Sequence, residues 1–219
     1  MTTQRSNSDQ SSSISSDTSL ANPKLASTRK LEQAFGLPGE NGVWIIVFGD
    51  ILIFSMMFGV FAYYRSLSAE LFQSAQQSLS LGFGLTNTLV LLTSSWFMVW
   101  AIEAAKQNNT AAFRRLLLAV IVCGFVFVLF KVFEYSDKFA HDIYLTTNEF
   151  YMYYFAYTFI HCAHVVVGLG GLIYLIIRAN KETFTDQDLI NFESGATFWH
   201  MVDLLWIALF ALLYLLPYQ

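Results

Sequence analysis

Two carboxylates and three histidines lie in stretches otherwise too apolar to face water: Asp50, His161, His164, His200 and Asp203. An ionisable group at the centre of a lipid-facing helix costs about 2.5 to 3.5 kcal/mol on insertion scales, so such groups turn inward and find partners. Asp50 falls about 10 Å inside the bilayer from the start of its apolar run, counting a rise of about 1.5 Å per residue. Asp203 reaches a similar depth in the last run, with His200 one turn earlier on the same face. That arrangement brings the two carboxylates within reach of each other, with His200 as a donor between them. It permits a proton relay, and equally a hydrogen-bonded network that ties helices together, which is the preferred reading.

His161 and His164 are three residues apart, on one face of a helix, a spacing that supplies two metal ligands. No third ligand is assured, since His141 falls in a loop and neither Cys123 nor Cys162 has ligand spacing. Histidines bonded to carboxylates or backbone carbonyls are the expected outcome, with no metal site and no catalytic residue in this chain. Haem ligation beside a catalytic metal needs more histidines, on several facing helices, than the four present. Lys131 and Glu134, one turn apart, read as an ion pair at a helix end with a snorkelling lysine stem. Asn87, Thr88, Thr93, Ser94 and Ser95 give one helix small polar positions for close contact, and Gly168, Gly170 and Gly171 do the same for another. Both cysteines read as small packing residues.

The elements that must position these groups are helices in a membrane. The chain has 219 residues, of which 55% are hydrophobic, 17% aromatic and 13% charged, a balance foreign to a soluble domain of this size. No basic stripe exists for a nucleic acid. Five apolar runs, about 43–64, 81–102, 116–133, 150–177 and 196–216, approach or exceed the roughly 18 residues needed to cross hydrocarbon. Backbone groups in lipid must bond internally, so the expected fold is an all-α integral membrane bundle of five transmembrane helices. Lys24, Arg29 and Lys30 precede the first run, Lys106, Arg114 and Arg115 separate the second and third, and Arg178 and Lys181 follow the fourth. The positive-inside bias then makes the N-terminus cytoplasmic and places the C-terminus outside, on the periplasmic side. Residues 1–30, rich in Ser and without an apolar core, read as a disordered cytoplasmic tail ahead of a membrane domain at 31–219.

The polar positions together resemble the subunit III family of haem-copper oxidases over about 38–216. The resemblance rests on Gly49-Asp50, on Asn87-Thr88 followed by Leu91-Leu92-Thr93-Ser94-Ser95, on Glu134-Tyr135, and on His161-Cys162-Ala163-His164-Val165 with Gly168. Glu193, then Trp199-His200-Met201-Val202-Asp203 and Trp206, completes it. Many members carry Glu where Asp50 stands. The absence of a first helix pair resembles the shorter five-helix members. Within those, Pro38 to Trp44, Thr86 to Ser95 and Lys131 to Tyr135 look most like NorE-type proteins associated with nitric oxide reductase.

The resemblance implies a non-catalytic accessory subunit in the bacterial inner membrane, packed against a haem-bearing catalytic partner and holding phospholipid between its helices. Haem and copper belong to the partner in that family, and none is expected here. The alternatives are subunit III of an aerobic cytochrome c or quinol oxidase and, from another class, an independent proton channel or small transporter. Asp50, Glu134, His161, His164, Glu193, His200 and Asp203 are the expected buried polar network. Asn87, Thr88, Ser94, Ser95, Gly168, Trp199 and Trp206 are the expected packing positions.

Overall fold

The computed structural model describes residues 40–216, and the tail expected at 1–30 lies outside the described residues. Six α-helices follow in order: α1 (Asn41–Leu67), α2 (Ala69–Gln77), α3 (Leu81–Lys106), α4 (Thr110–Ala140), α5 (Glu149–Arg178) and α6 (Asp186–Phe210). A π-helical turn, Ala211–Leu215, extends α6. No strand occurs among the described residues. All but α2 are long and apolar enough to span a membrane, which makes five spans as expected.

The spans run further than the apolar runs alone suggest. Helix α4 begins at Thr110 and continues through Lys138 to Ala140, and α6 begins at Asp186, ten residues before the expected start at Ala196. Polar residues extend these helices because the structure supplies them with partners. Asn109 caps α4 by accepting a bond from the Ala112 N–H at 3.1 Å. Thr185 and Asp188 form a reciprocal capping box on α6, and Lys181 donates to both Asp188 oxygens at 2.9 Å. Each cap satisfies helix-end donors that are otherwise orphaned. Asn108, in the left-handed region at φ 55°, accepts a bond from the Phe184 N–H at 3.0 Å and so ties the two connections at this end together.

Helix α6 is the centre of the bundle and packs against α1, α3 and α5. Of its most apolar window 56% is buried, against 17% for α1 at the periphery. Polar side chains turn into a mainly apolar core while the outside is greasy: Asn87, Thr88 and Ser94 of α3 are buried, and Leu85, Leu89, Leu92, Trp96 and Val99 of the same helix face outward. That distribution suits a lipid solvent, where association rests on packing and interhelical hydrogen bonds. Short α2 buries Phe72 and Ala75 and lies across one end of the bundle, where Phe72 meets Phe61 of α1 and Phe150 of α5.

Candidate functional site

Two tryptophans on one face of α6 organise the interior. The Trp199 Nε1–H donates to Ser94 Oγ at 3.0 Å, and the Trp206 Nε1–H donates to Thr88 Oγ1 at 3.1 Å, both across the α3–α6 contact. The Trp199 ring also lies close against the backbones of α4 and α5. A Cβ at Gly168 would lie 3.0 Å from the Trp199 ring, and one at Gly124 would lie 2.7 Å from Leu169 and 2.9 Å from Trp199. Gly170 and Gly171, expected to pack in the same way, have nothing within 4 Å of that position. They face away from the neighbouring helices, so of the three glycines only Gly168 makes the close approach.

The carboxylates do not converge. Asp50 on α1 lies 3.4 Å from His164 Nε2 on α5, and the other ring nitrogen of His164 is 2.8 Å from the Ile160 carbonyl oxygen. His200 instead meets Ser95 Oγ at 2.6 Å on α3. Asp203 is buried, with neither oxygen in a well-formed hydrogen bond among the described residues, and Ser95 and Cys123 lie near it. The expected Asp50–His200–Asp203 cluster is therefore two separate sites. His200 and Asp203, one turn apart, both face Ser95 of α3, while α5 supplies the partner for Asp50 of α1.

His161 and His164 likewise diverge. His161 is fully buried between Phe127 of α4 and Trp206 of α6, with ring centroids 5.7 and 5.3 Å away, and neither of its nitrogens has a hydrogen-bond partner among the described residues. His164 packs against Phe54 of α1. No metal-binding group of three forms among the described residues. Aromatic rings pack against His161 on both sides.

Glu193 pairs with Lys106 at 2.9 Å, joining α6 to the end of α3 near the surface. Glu134 is the deeper group. Its Oε2 accepts from Lys131 Nζ at 2.7 Å and its Oε1 from the Tyr214 hydroxyl at 2.6 Å. Lys131 and Glu134 are 1% and 2% exposed, so the lysine does not snorkel, contrary to the sequence expectation. Helix α4 runs on past the pair, and the Lys131 ammonium is enclosed by the rings of Trp206 (4.7 Å), Tyr154 (5.5 Å) and Tyr214 (5.9 Å). Cation–π contact on this scale favours a desolvated ammonium by about 2 kcal/mol or more. Sequence reading missed Tyr154 and Tyr214. The available signal was the recurrence of Trp199, Trp206 and Tyr214 at seven and eight residues, the repeat of one helical face.

The family profile described as cytochrome c oxidase subunit III matches residues 34–218, which takes in all five spans. Cytochrome c oxidase subunit 3 of Alkalihalophilus pseudofirmus is 30% identical over 184 residues, covering 82% of this chain and 89% of that protein. A probable cytochrome c oxidase subunit 3 of Mycobacterium bovis is 28% identical, covering 78% of this chain and 84% of its own. Cytochrome bo(3) ubiquinol oxidase subunit 3 of Buchnera aphidicola is 26% identical over 203 residues, covering 92% and 94%. These names are those of oxidase subunits, so the aerobic alternative fits better than the NorE-type reading.

Proposed function

The chain belongs to the cytochrome c oxidase subunit III family, and from that premise we propose that it is the third subunit of an aerobic terminal oxidase in a bacterial cytoplasmic membrane. In this reading it is an accessory subunit that carries out no bond-making itself. It packs against a haem-bearing catalytic membrane subunit, steadies that partner and its phospholipid surroundings, and presents Asp50 with His164 as a polar pair at the α1–α5 contact.

The observation that carries the reading is how the interior polar groups are used. Trp199 with Ser94, Trp206 with Thr88, Tyr135 with Thr158 and the Tyr157 hydroxyl with the Met57 carbonyl each bond one helix to another. Such bonds average about 0.6 kcal/mol in membranes, so a set of them stiffens a scaffold. The same oxidase-type names among relatives that act on cytochrome c and on ubiquinol leave the electron donor to the partner.

The test is co-purification. Tagged full-length chain, solubilised in mild detergent from cells that assemble the oxidase, should bring down a haem-bearing subunit in fixed proportion. Replacing Asp50 by Ala should lower that yield or the proton uptake of the complex. A chain that migrates alone beside an assembled oxidase would overturn the proposal. Proton flux through proteoliposomes of the pure chain, abolished by Asp50→Asn, would mark an independent channel instead.

A further inference from the structure

A cavity of about 330 Å³ opens between the start of α4 and the end of α5, lined by Ala111, Arg114, Arg115, Leu118 and Ile176. A rise of about 1.5 Å per residue sets the two arginines about 6 to 8 Å into α4 from Thr110, at the level where its apolar run begins. Below them the wall changes character. Leu118 and, one turn deeper, Val122 are exposed on one face of α4, and Ile173 is exposed one turn deeper than Ile176 on α5. An apolar strip thus leads from the arginines into the membrane span.

The charges at this end of the bundle are not all satisfied within the chain. Lys106 pairs with Glu193 and Lys181 with Asp188, each at 2.9 Å. Arg114 and Arg115 have no carboxylate partner among the described residues. Arg114 Nη1 donates instead to the neutral Asn180 Oδ1 at 3.1 Å, which holds the guanidinium beside the end of α5 and leaves its charge uncompensated.

A guanidinium is a planar fork of donors that matches two phosphate oxygens at once. Two of them above an apolar strip fit a molecule with a phosphate at one end and hydrocarbon at the other. A zwitterionic headgroup would also bring an ammonium to the same two cations, so the complement is a headgroup of net negative charge. We propose that this cavity binds an anionic phospholipid, its phosphate held by Arg114 and Arg115 and one acyl chain laid over Leu118 and Ile176. The site lies on the α4–α5 face, apart from the Asp50–His164 contact between α1 and α5. It stands whichever complex the chain joins, so a failed co-purification with an oxidase would leave it untouched.

Native mass spectrometry of the full-length chain in mild detergent counts bound lipids directly. With phosphatidylglycerol and phosphatidylcholine of matched acyl chains added in equal amounts, the wild type should retain phosphatidylglycerol about tenfold more often. Arg114→Gln with Arg115→Gln should erase that preference. Arg178→Gln should leave it intact, because Arg178 sits over the Tyr174 ring and does not line the cavity. Ala111→Trp keeps both charges but fills the cavity, so it should also erase the preference, and it serves if the double variant does not fold. Inorganic phosphate in large excess should not displace the lipid, since it has no chain for Leu118 and Ile176 to receive. Equal retention of the two lipids by the wild type, a preference that survives the double variant or Ala111→Trp, an equal loss in Arg178→Gln, or displacement by inorganic phosphate overturns the proposal.

Discussion

At the scale of single residues, the two kinds of ion pair in this chain separate by solvent access. Lys106–Glu193 is partly exposed, and such pairs contribute about 0 to 1 kcal/mol. Lys131–Glu134 is sealed in the core, where removing one partner strands the other charge in a medium that cannot solvate it. We expect Glu134→Ala to destabilise the chain by about 3 to 5 kcal/mol, and Lys131→Met with Glu134→Gln together to recover most of that loss. Thermal unfolding in mild detergent checks both, and equal losses in the single and double variants would refute the argument. The sequence revealed that Lys131 and Glu134 pair, because they sit one turn apart. It did not reveal their depth, because the apolar run stops at Phe133 while the helix continues to Ala140. What buries the pair comes from α5 and the turn after α6, distant in sequence and visible only once the helices are packed. The same reasoning explains Asp50: its need for a partner was legible, but the partner proved to be His164 and not Asp203.

At the scale of helices, small residues decide how close two axes come. Gly124 has its missing Cβ position against Leu169 and Trp199, side chains locked in the core, so Gly124→Ala should cost about 1 to 3 kcal/mol through overpacking. Gly170→Ala and Gly171→Ala add a methyl group to open space and remove a flexible residue from a helix interior. They should leave the melting temperature unchanged or raise stability by up to about 1 kcal/mol. A melting series on the three variants distinguishes packing glycines from free ones. All five spans were legible from hydropathy, since the solvent itself demands them. Helix α2 was not: nine residues with Phe72 and Ala75 as buried anchors carry too little pattern to stand out beside a span. Its place is set by the ring cluster of Phe61, Phe72, Phe150 and Tyr153.

At the scale of the whole molecule, charge is divided between the two ends of the bundle. Lys106, Arg114, Arg115, Arg178 and Lys181 gather at the end where α3 and α5 finish and α4 begins. The opposite end, with α2 and the α4–α5 connection, carries Arg65 and the buried Lys138, which donates to the Ser78 carbonyl at 2.8 Å. The positive-inside bias predicts that the first of these ends faces the cytoplasm. In intact cells a membrane-impermeant thiol reagent should label Asp142→Cys and leave Glu182→Cys untouched until the membrane is broken. The reverse pattern would invert the topology.

The central position of α6 also bears on how the protein is made. The helix with the most buried surface leaves the ribosome after the other four spans, so Thr88, Ser94 and the Lys131–Glu134 pair enter the bilayer before their indole and phenol partners exist. Until translation passes Tyr214, those hydrophilic groups lack the indole and phenol donors that meet them in the finished bundle.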